Sequence, residues 1–176
     1  MFPIFAVGTA KHNAALCAAL EQHGGVLFLG AESVCSHALG KPAYLLHECG
    51  AGLTLAVRNA IVLLGGAKEL PLFAPQSNLT ALLDENAAQP SPAEQPFAQT
   101  VRCGMRKQDD ISLTSVGETQ SLLSLGKKLK MLTGQELLPG DFLVNHSEHI
   151  PRPALPLICA CLLLTQPFAD GVIGLG

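Results

Sequence analysis

The sequence predicts an α/β fold: a mostly parallel sheet flanked by helices, with an antiparallel strand extension in the C-terminal half. Over residues 1–88, short apolar runs alternate with helical or polar segments, a pattern typical of parallel sheets. The Pro-rich stretch "QPSPAEQP" (89–96) then interrupts the pattern as a linker or surface loop. Over residues 97–176, short Gly-bounded pieces with polar/apolar alternation indicate the antiparallel strands. We expect these parts to form a single domain, 1–176.

The elements of the first half follow from apolar runs and their capping signals. Helices are predicted at 11–23, which ends at a Gly pair, and at 77–88, with Ser77 or Asn78 as N-cap. A polar loop or short helix is predicted over 31–41, and a short helix or turn up to Asn59. Strands are predicted at 3–9, 26–30, 42–48, 60–64 and 70–75.

The second half contains five strand-like pieces and one strongly apolar segment. The five strand-like pieces are "TVRCGM", "DISLTSVG", "TQSLLSLG", "KKLKMLTG" and "DFLVNHS". The segment "ALPLICACLLL" is about half as long as a membrane span, so it predicts a buried helix over 154–165, followed by a Gly-rich tail.

Composition favours a protein that associates with another protein or with itself. Of the 176 residues, 48% are apolar and only 14% are charged, so part of an apolar surface is expected to be covered by a partner. The net charge of −3 argues against binding to nucleic acid or to an anionic membrane. Because "MFP" lacks the basic start of a signal peptide, we expect a cytoplasmic protein.

The cysteines predict reduced, buried thiols and no metal site. The closest pair, Cys159 and Cys161, is not a C-x-x-C motif, and zinc would require two further ligands. His146 and His149 are the alternative source of such ligands. A solvated loop is the favoured interpretation of their segment, "NHSEH".

The stretch "GTAKHN" lies between the first strand and the first helix, where phosphate-binding loops occur. Gly8 and Thr9 provide the turn and Lys11 provides a positive charge, as expected of a site for an anion at a helix N-terminus. His12 and Asn13 stand where the hydroxyl that holds Mg²⁺ would lie. By itself the stretch favours an ordinary strand-to-helix turn, and the alternative is a P-loop-like or Rossmann-like turn without the full set of Mg²⁺-ATP ligands.

The order of several segments resembles the ATP-binding central domain of the Mur ligase family. The family's G-T-x-G-K-T/S loop is similar to "GTAKHN", and "HECGAGL" places Glu48 at the position of a metal-binding carboxylate. The segments "NAIVLLGG", "LFAPQSN", "TVRCGMRKQDD" and "LLPGDFLVNH" follow in the family's order. The resemblance implies Gly8, Thr9, Lys11 and Glu48 as nucleotide-binding residues and ATP with Mg²⁺ as the ligand.

The loop is one residue short and lacks its hydroxyl, so we expect a vestigial or non-catalytic nucleotide-binding-type domain. It would act mainly through protein association, as a homo-oligomer or with a protein partner, and bind nucleotide or phosphate weakly. One alternative is a small active α/β enzyme that uses Glu48, Asp109 or the histidine pair. The other is a structural module without a ligand. No catalytic residue is assigned.

Overall fold

A computed structural model describes residues 1–37, 40–50, 54–66, 71–74, 78–85, 87 and 97–176. The fold is α/β with a large share of parallel strand pairs, as predicted, and the described residues contain two α-helices. The chain divides into two units, Met1–Thr100 and Val101–Gly176. The predicted linker, 89–96, lies outside the described residues.

The first unit is built around one sheet with the strand order β8-β6-β1-β4-β2-β3. Neighbouring strands are parallel except β3, which runs antiparallel to β2. Helix α1, Ala10–Gln22, joins β1 to β2 and packs against β1, β2 and β4. The sheet strands are β1 (Phe2–Val7), β2 (Val26–Leu29), β3 (Val34–His37), β4 (Tyr44–Glu48), β6 (Asn59–Leu64) and β8 (Asn78–Leu83). The short strands β5 (Thr54–Leu55) and β7 (Leu72–Phe73) form a separate parallel pair.

The central strands lack alternation because both of their faces are covered. In β6 and in β8 every residue after the initial asparagine is buried. Strands of a parallel sheet with two covered faces have continuous apolar sequences for this reason. Helix α1 and strands β1, β2, β4 and β6 confirm the predictions made for them to within two residues at each end.

Three segments of this half that were predicted as helix, loop or turn contain strands. The segment predicted as a helix over 77–88 contains strand β8, because "LTALL" has no helical or alternating period and its pairing beside β6 decides its structure. Part of the predicted loop or short helix at 31–41 forms strand β3, which pairs with β2. The predicted turn before Asn59 includes β5.

The second unit contains a mixed sheet in which strands β10, β11 and β14 are antiparallel neighbours, as predicted. Strand β9 lies parallel to β10, and β15, in the predicted Gly-rich tail, lies parallel to β14. A short hairpin, β12 with β13, precedes β14. The strands are β9 (Phe97–Gly104, which begins in the first unit), β10 (Ile111–Val116), β11 (Gln120–Leu125), β12 (Leu129–Lys130), β13 (Glu136–Leu137), β14 (Gly140–His146) and β15 (Val172–Leu175).

Helix α2, Leu155–Thr165, follows a 3₁₀ turn, Arg152–Ala154, and confirms the predicted C-terminal helix. All of its residues are buried, which is why its sequence is apolar on every side. Thr165, its last residue, donates a hydrogen bond from its hydroxyl to the Cys161 carbonyl, 2.9 Å away. No helix within the described ranges is long and apolar enough to cross a membrane.

Candidate functional site

The candidate site lies where β1 passes into α1. Gly8 has a φ of 69°, a left-handed conformation that favours glycine, and Thr9 is the N-cap residue of α1. The hydroxyl of Thr9 lies 3.4 Å from Oδ1 of Asn13, and the Thr9 carbonyl accepts the His12 N–H at 2.8 Å. The structure therefore contains a strand, a glycine turn and a helix N-terminus, an arrangement that can bind an anion.

The carboxyl end of β6 packs directly under this turn. The N–H of Gly65 donates to the Val7 carbonyl at 2.9 Å, and a Cβ on Gly65 would lie 2.2 Å from the Gly8 oxygen. Strands β4 and β2 lie on one side of β1, whereas β6 and β8 lie on the other. Open α/β sheets bind ligands at the carboxyl ends of the strands, at the point where the strand order reverses from one side of a strand to the other.

Asp84, directly after β8, completes the site on the β6 side of β1. Its Oδ2 lies 3.1 Å from Nζ of Lys11 and 3.5 Å from Nε2 of His12, and its Oδ1 accepts the Glu85 N–H at 2.8 Å. The Asp84 N–H donates to the Leu64 carbonyl at 2.9 Å, which fixes the residue at the end of the neighbouring strand. Asp84 is only 3% exposed.

Burial by itself raises the pKa of Asp84, but its contacts with His12, Lys11 and the Glu85 N–H outweigh burial and lower the pKa to about 2. The carboxyl is therefore ionised at neutral pH. Its charge compensates that of Lys11, whose side chain is 54% exposed.

The imidazole ring of His12 lies inside the protein. The residue is buried, and its Nδ1 has no hydrogen-bond partner among the residues that the structure describes. A buried ring nitrogen of this kind is rare in proteins because leaving it unpaired costs free energy.

Glu48 lies on the opposite side of β1 from Asp84, at the end of β4. Its Cα pairs with that of Ala6, and the next N–H, of Cys49, donates to the Ala6 carbonyl at 2.8 Å. Glu48 lines an open groove of about 560 Å³ between α1 and strands β2 and β3. The groove is lined by Ala10, Asn13, Ala14, Cys17, Ala18, Glu21, Phe28, Ser33, Cys35 and Glu48.

The structure thus brings Gly8, Thr9 and Lys11 together at one turn and places Glu48 in a groove that begins at the same helix terminus. Sequence reasoning missed Asp84, because it lay within the helix predicted at 77–88. The signal was present in "LTALLD": an acidic residue that directly follows a buried parallel strand lies at the edge where ligands bind.

A second polar pair lies in the C-terminal unit. Nδ1 of His146 is 3.2 Å from the Ser147 carbonyl oxygen, which assigns the ring hydrogen to Nδ1. Nε2 therefore accepts the hydroxyl of Ser121 at 2.9 Å, and both residues are buried. A cavity of about 220 Å³ is lined by Glu118, His146, Glu148, Ile150 and Arg152. The solvated loop predicted for "NHSEH" is wrong for His146, which ends β14.

Asp109, a candidate residue of the alternative enzyme, and its neighbour Asp110 bind backbone and lysine groups. Oδ2 of Asp109 accepts the Arg106 N–H at 2.9 Å, and Oδ2 of Asp110 accepts Nζ of Lys127 at 2.8 Å. These contacts indicate that both carboxylates stabilise a turn.

The cysteines differ in accessibility. Cys49, Cys103, Cys159 and Cys161 are buried, as predicted, but Cys35 is exposed. Burial raises the pKa values of the Cys159 and Cys161 thiols. The described part of the chain contains no group of three or more His, Cys, Asp or Glu side chains that could hold a metal ion.

No family model matches the chain, and no curated protein matches it significantly.

Proposed function

We propose that this chain is a vestigial or non-catalytic nucleotide-binding-type domain. In this proposal it acts mainly through protein association and retains a weak site for nucleotide or phosphate at Gly8, Thr9 and Lys11. Its relation to the Mur ligase central domain, and with it a P-loop-like or Rossmann-like ancestry, is part of the same proposal.

The ion pair between Lys11 and Asp84 is the observation on which the proposal depends. An anion at the N-terminus of α1 would use the Lys11 ammonium, which lies 3.1 Å from a carboxylate of its own chain. Binding must therefore compete with Asp84, which favours weak affinity. The loop also has His12 where a hydroxyl would hold Mg²⁺, so the ligands that stabilise phosphoryl transfer are incomplete.

Exposed apolar side chains support association. Val34 is 71% exposed, Leu72 is 68% exposed and Leu138 is 65% exposed. Val34 belongs to β3, the last strand in the order of the first unit's sheet, and such edge strands offer unpaired backbone groups to another chain. Light scattering over a range of concentrations tests this part: a mass above that of the monomer is expected, and a monomer at all concentrations would argue for a separate protein partner.

Thermal unfolding with ATP, ADP or inorganic tripolyphosphate, each with and without Mg²⁺, tests the phosphate site. Ligand at about 100 times its Kd should stabilise the protein by about 2.7 kcal/mol. Lys11→Ala should abolish the effect, whereas Lys107→Ala, which changes an exposed lysine of the second unit, should retain it. Asp84→Asn should tighten tripolyphosphate binding because it removes the competing carboxylate. No stabilisation of the native sequence at millimolar ligand would refute the site.

A second candidate, a small active α/β enzyme, is favoured by the groove that Glu48 lines. This candidate predicts that the protein releases phosphate from ATP and that Glu48→Gln abolishes the release. The first proposal predicts phosphate release no faster than in buffer.

A further inference from the structure

The groove beside α1 has the form of a small-molecule site. Its α1 residues recur at helical spacing and so occupy one face of the helix, along about 16 Å of its length: Ala10, Asn13, Ala14, Cys17, Ala18 and Glu21. Its volume of about 560 Å³ lies within the range of about 300–1,000 Å³ usual for ligand pockets.

The two ends of the groove differ in chemistry. At one end Ala10 and Asn13 belong to the first turn of α1, next to the predicted phosphate loop. Glu48 faces the same end from β4, the strand directly beside β1. In dinucleotide-binding α/β sheets, an acidic residue near this edge accepts hydrogen bonds from ribose hydroxyls.

The middle of the groove suits a planar group. Its lining combines one aromatic ring, that of Phe28, with the small side chains of Ala14 and Ala18, which leave space for a flat ring. Aromatic side chains stack on nucleobases of any sequence.

We propose that this groove binds the nucleoside part of a nucleoside phosphate. The base lies between α1 and Phe28, the ribose hydroxyls donate to Glu48, and the phosphates reach Gly8, Thr9 and Lys11. This inference rests on the proposed phosphate site and adds the class of ligand: a ribonucleotide is preferred to a free polyphosphate.

Cys35 gives a direct measure of occupancy, because it is exposed and lines the groove. Labelling of Cys35 by N-ethylmaleimide is followed by tandem mass spectrometry, which separates it from Cys17. ADP should slow labelling of Cys35 severalfold. Tripolyphosphate should stabilise the protein against heat without slowing labelling.

Two variants sharpen the test. Glu48→Gln should weaken ADP binding about tenfold more than tripolyphosphate binding, since it removes the charge from the ribose acceptor. Ala18→Leu adds bulk at an exposed position of the groove and should abolish protection of Cys35 by ADP, whereas Ala98→Leu, at an exposed position of β9, should retain it.

The outcomes separate the two proposals. If tripolyphosphate stabilises the protein but ADP binds no more tightly and does not protect Cys35, the groove assignment is overturned and the phosphate site stands. If a fatty acid protects Cys35 and ADP does not, the groove binds an acyl chain and the assignment is equally overturned. If neither ADP nor tripolyphosphate has any effect, both proposals fail.

Discussion

Nζ of Lys11, in the first turn of α1, lies 3.1 Å from Oδ2 of Asp84, the residue that directly follows β8. The contact spans the carboxyl end of β6, which lies between β1 and β8 in the sheet. It joins the predicted phosphate loop to a buried carboxylate. The same ion pair stabilises the fold and occupies the lysine that an anion at the loop would use.

Asp84→Asn is expected to lower the free energy of unfolding by about 2 kcal/mol at pH 7. The pKa of Asp84 is lowered from 3.8 to about 2, and each pKa unit corresponds to about 1.4 kcal/mol. Urea denaturation measures the change. Asp141→Asn, at an exposed position of β14, should have almost no effect, and an equal loss in both variants would contradict the role of the buried ion pair.

The same carboxylate predicts acid sensitivity. Because its folded pKa lies below its unfolded value, its contribution is fully present above about pH 5 and is lost as the pH falls through 4 towards 2. Denaturation midpoints measured between pH 2 and pH 6 should show a smaller decline in Asp84→Asn than in the native sequence. Parallel declines would show that other carboxyl groups dominate.

Gly65→Ala is expected to destabilise the protein by about 1–3 kcal/mol, because the new Cβ would lie 2.2 Å from the Gly8 oxygen and force the turn away from β6. Gly66→Ala is the matched control, since among the described residues no atom lies within 4 Å of its added Cβ. Thermal unfolding of both variants provides the comparison. Equal melting temperatures would refute the close packing of the turn on β6.

Ser121→Ala is expected to cost about 1–3 kcal/mol, because it leaves the buried Nε2 of His146 without its donor. Ser115→Ala, at an exposed position of β10, serves as the control and should change stability by less than about 0.5 kcal/mol. Chemical denaturation measures the free energy of unfolding of both variants. If Ser121→Ala leaves that free energy unchanged, solvent replaces the hydroxyl.

Local patterns predicted much of the fold. The Ala/Leu-rich stretch before His23 and Gly24 predicted α1, and its observed bounds differ from the prediction by one residue at each end. The continuous apolar character of "NAIVLL" predicted β6, and the apolar segment near the C-terminus predicted α2. These elements were predictable because their signals are local: periodicity, capping residues and Gly punctuation.

The missed elements depend on partners distant in sequence. Residues 78–83 become β8 through pairing with β6, and Val34–His37 becomes β3 through pairing with β2. The Gly-rich C-terminal segment forms β15 because it pairs in parallel with β14. Isolated short apolar or mixed runs do not specify such pairings.

The amino-acid sequence is sufficient to predict a glycine turn with one lysine between a buried strand and a helix, because strand, turn and helix are adjacent in the chain. Which carboxylate contacts that lysine depends on the tertiary fold. Parallel pairing of β1, β6 and β8 places Asp84 against Lys11 and His12, while β4 directs Glu48 to the groove on the other side of β1. Strand order sets these distances, and strand order follows from pairing between segments far apart in the chain.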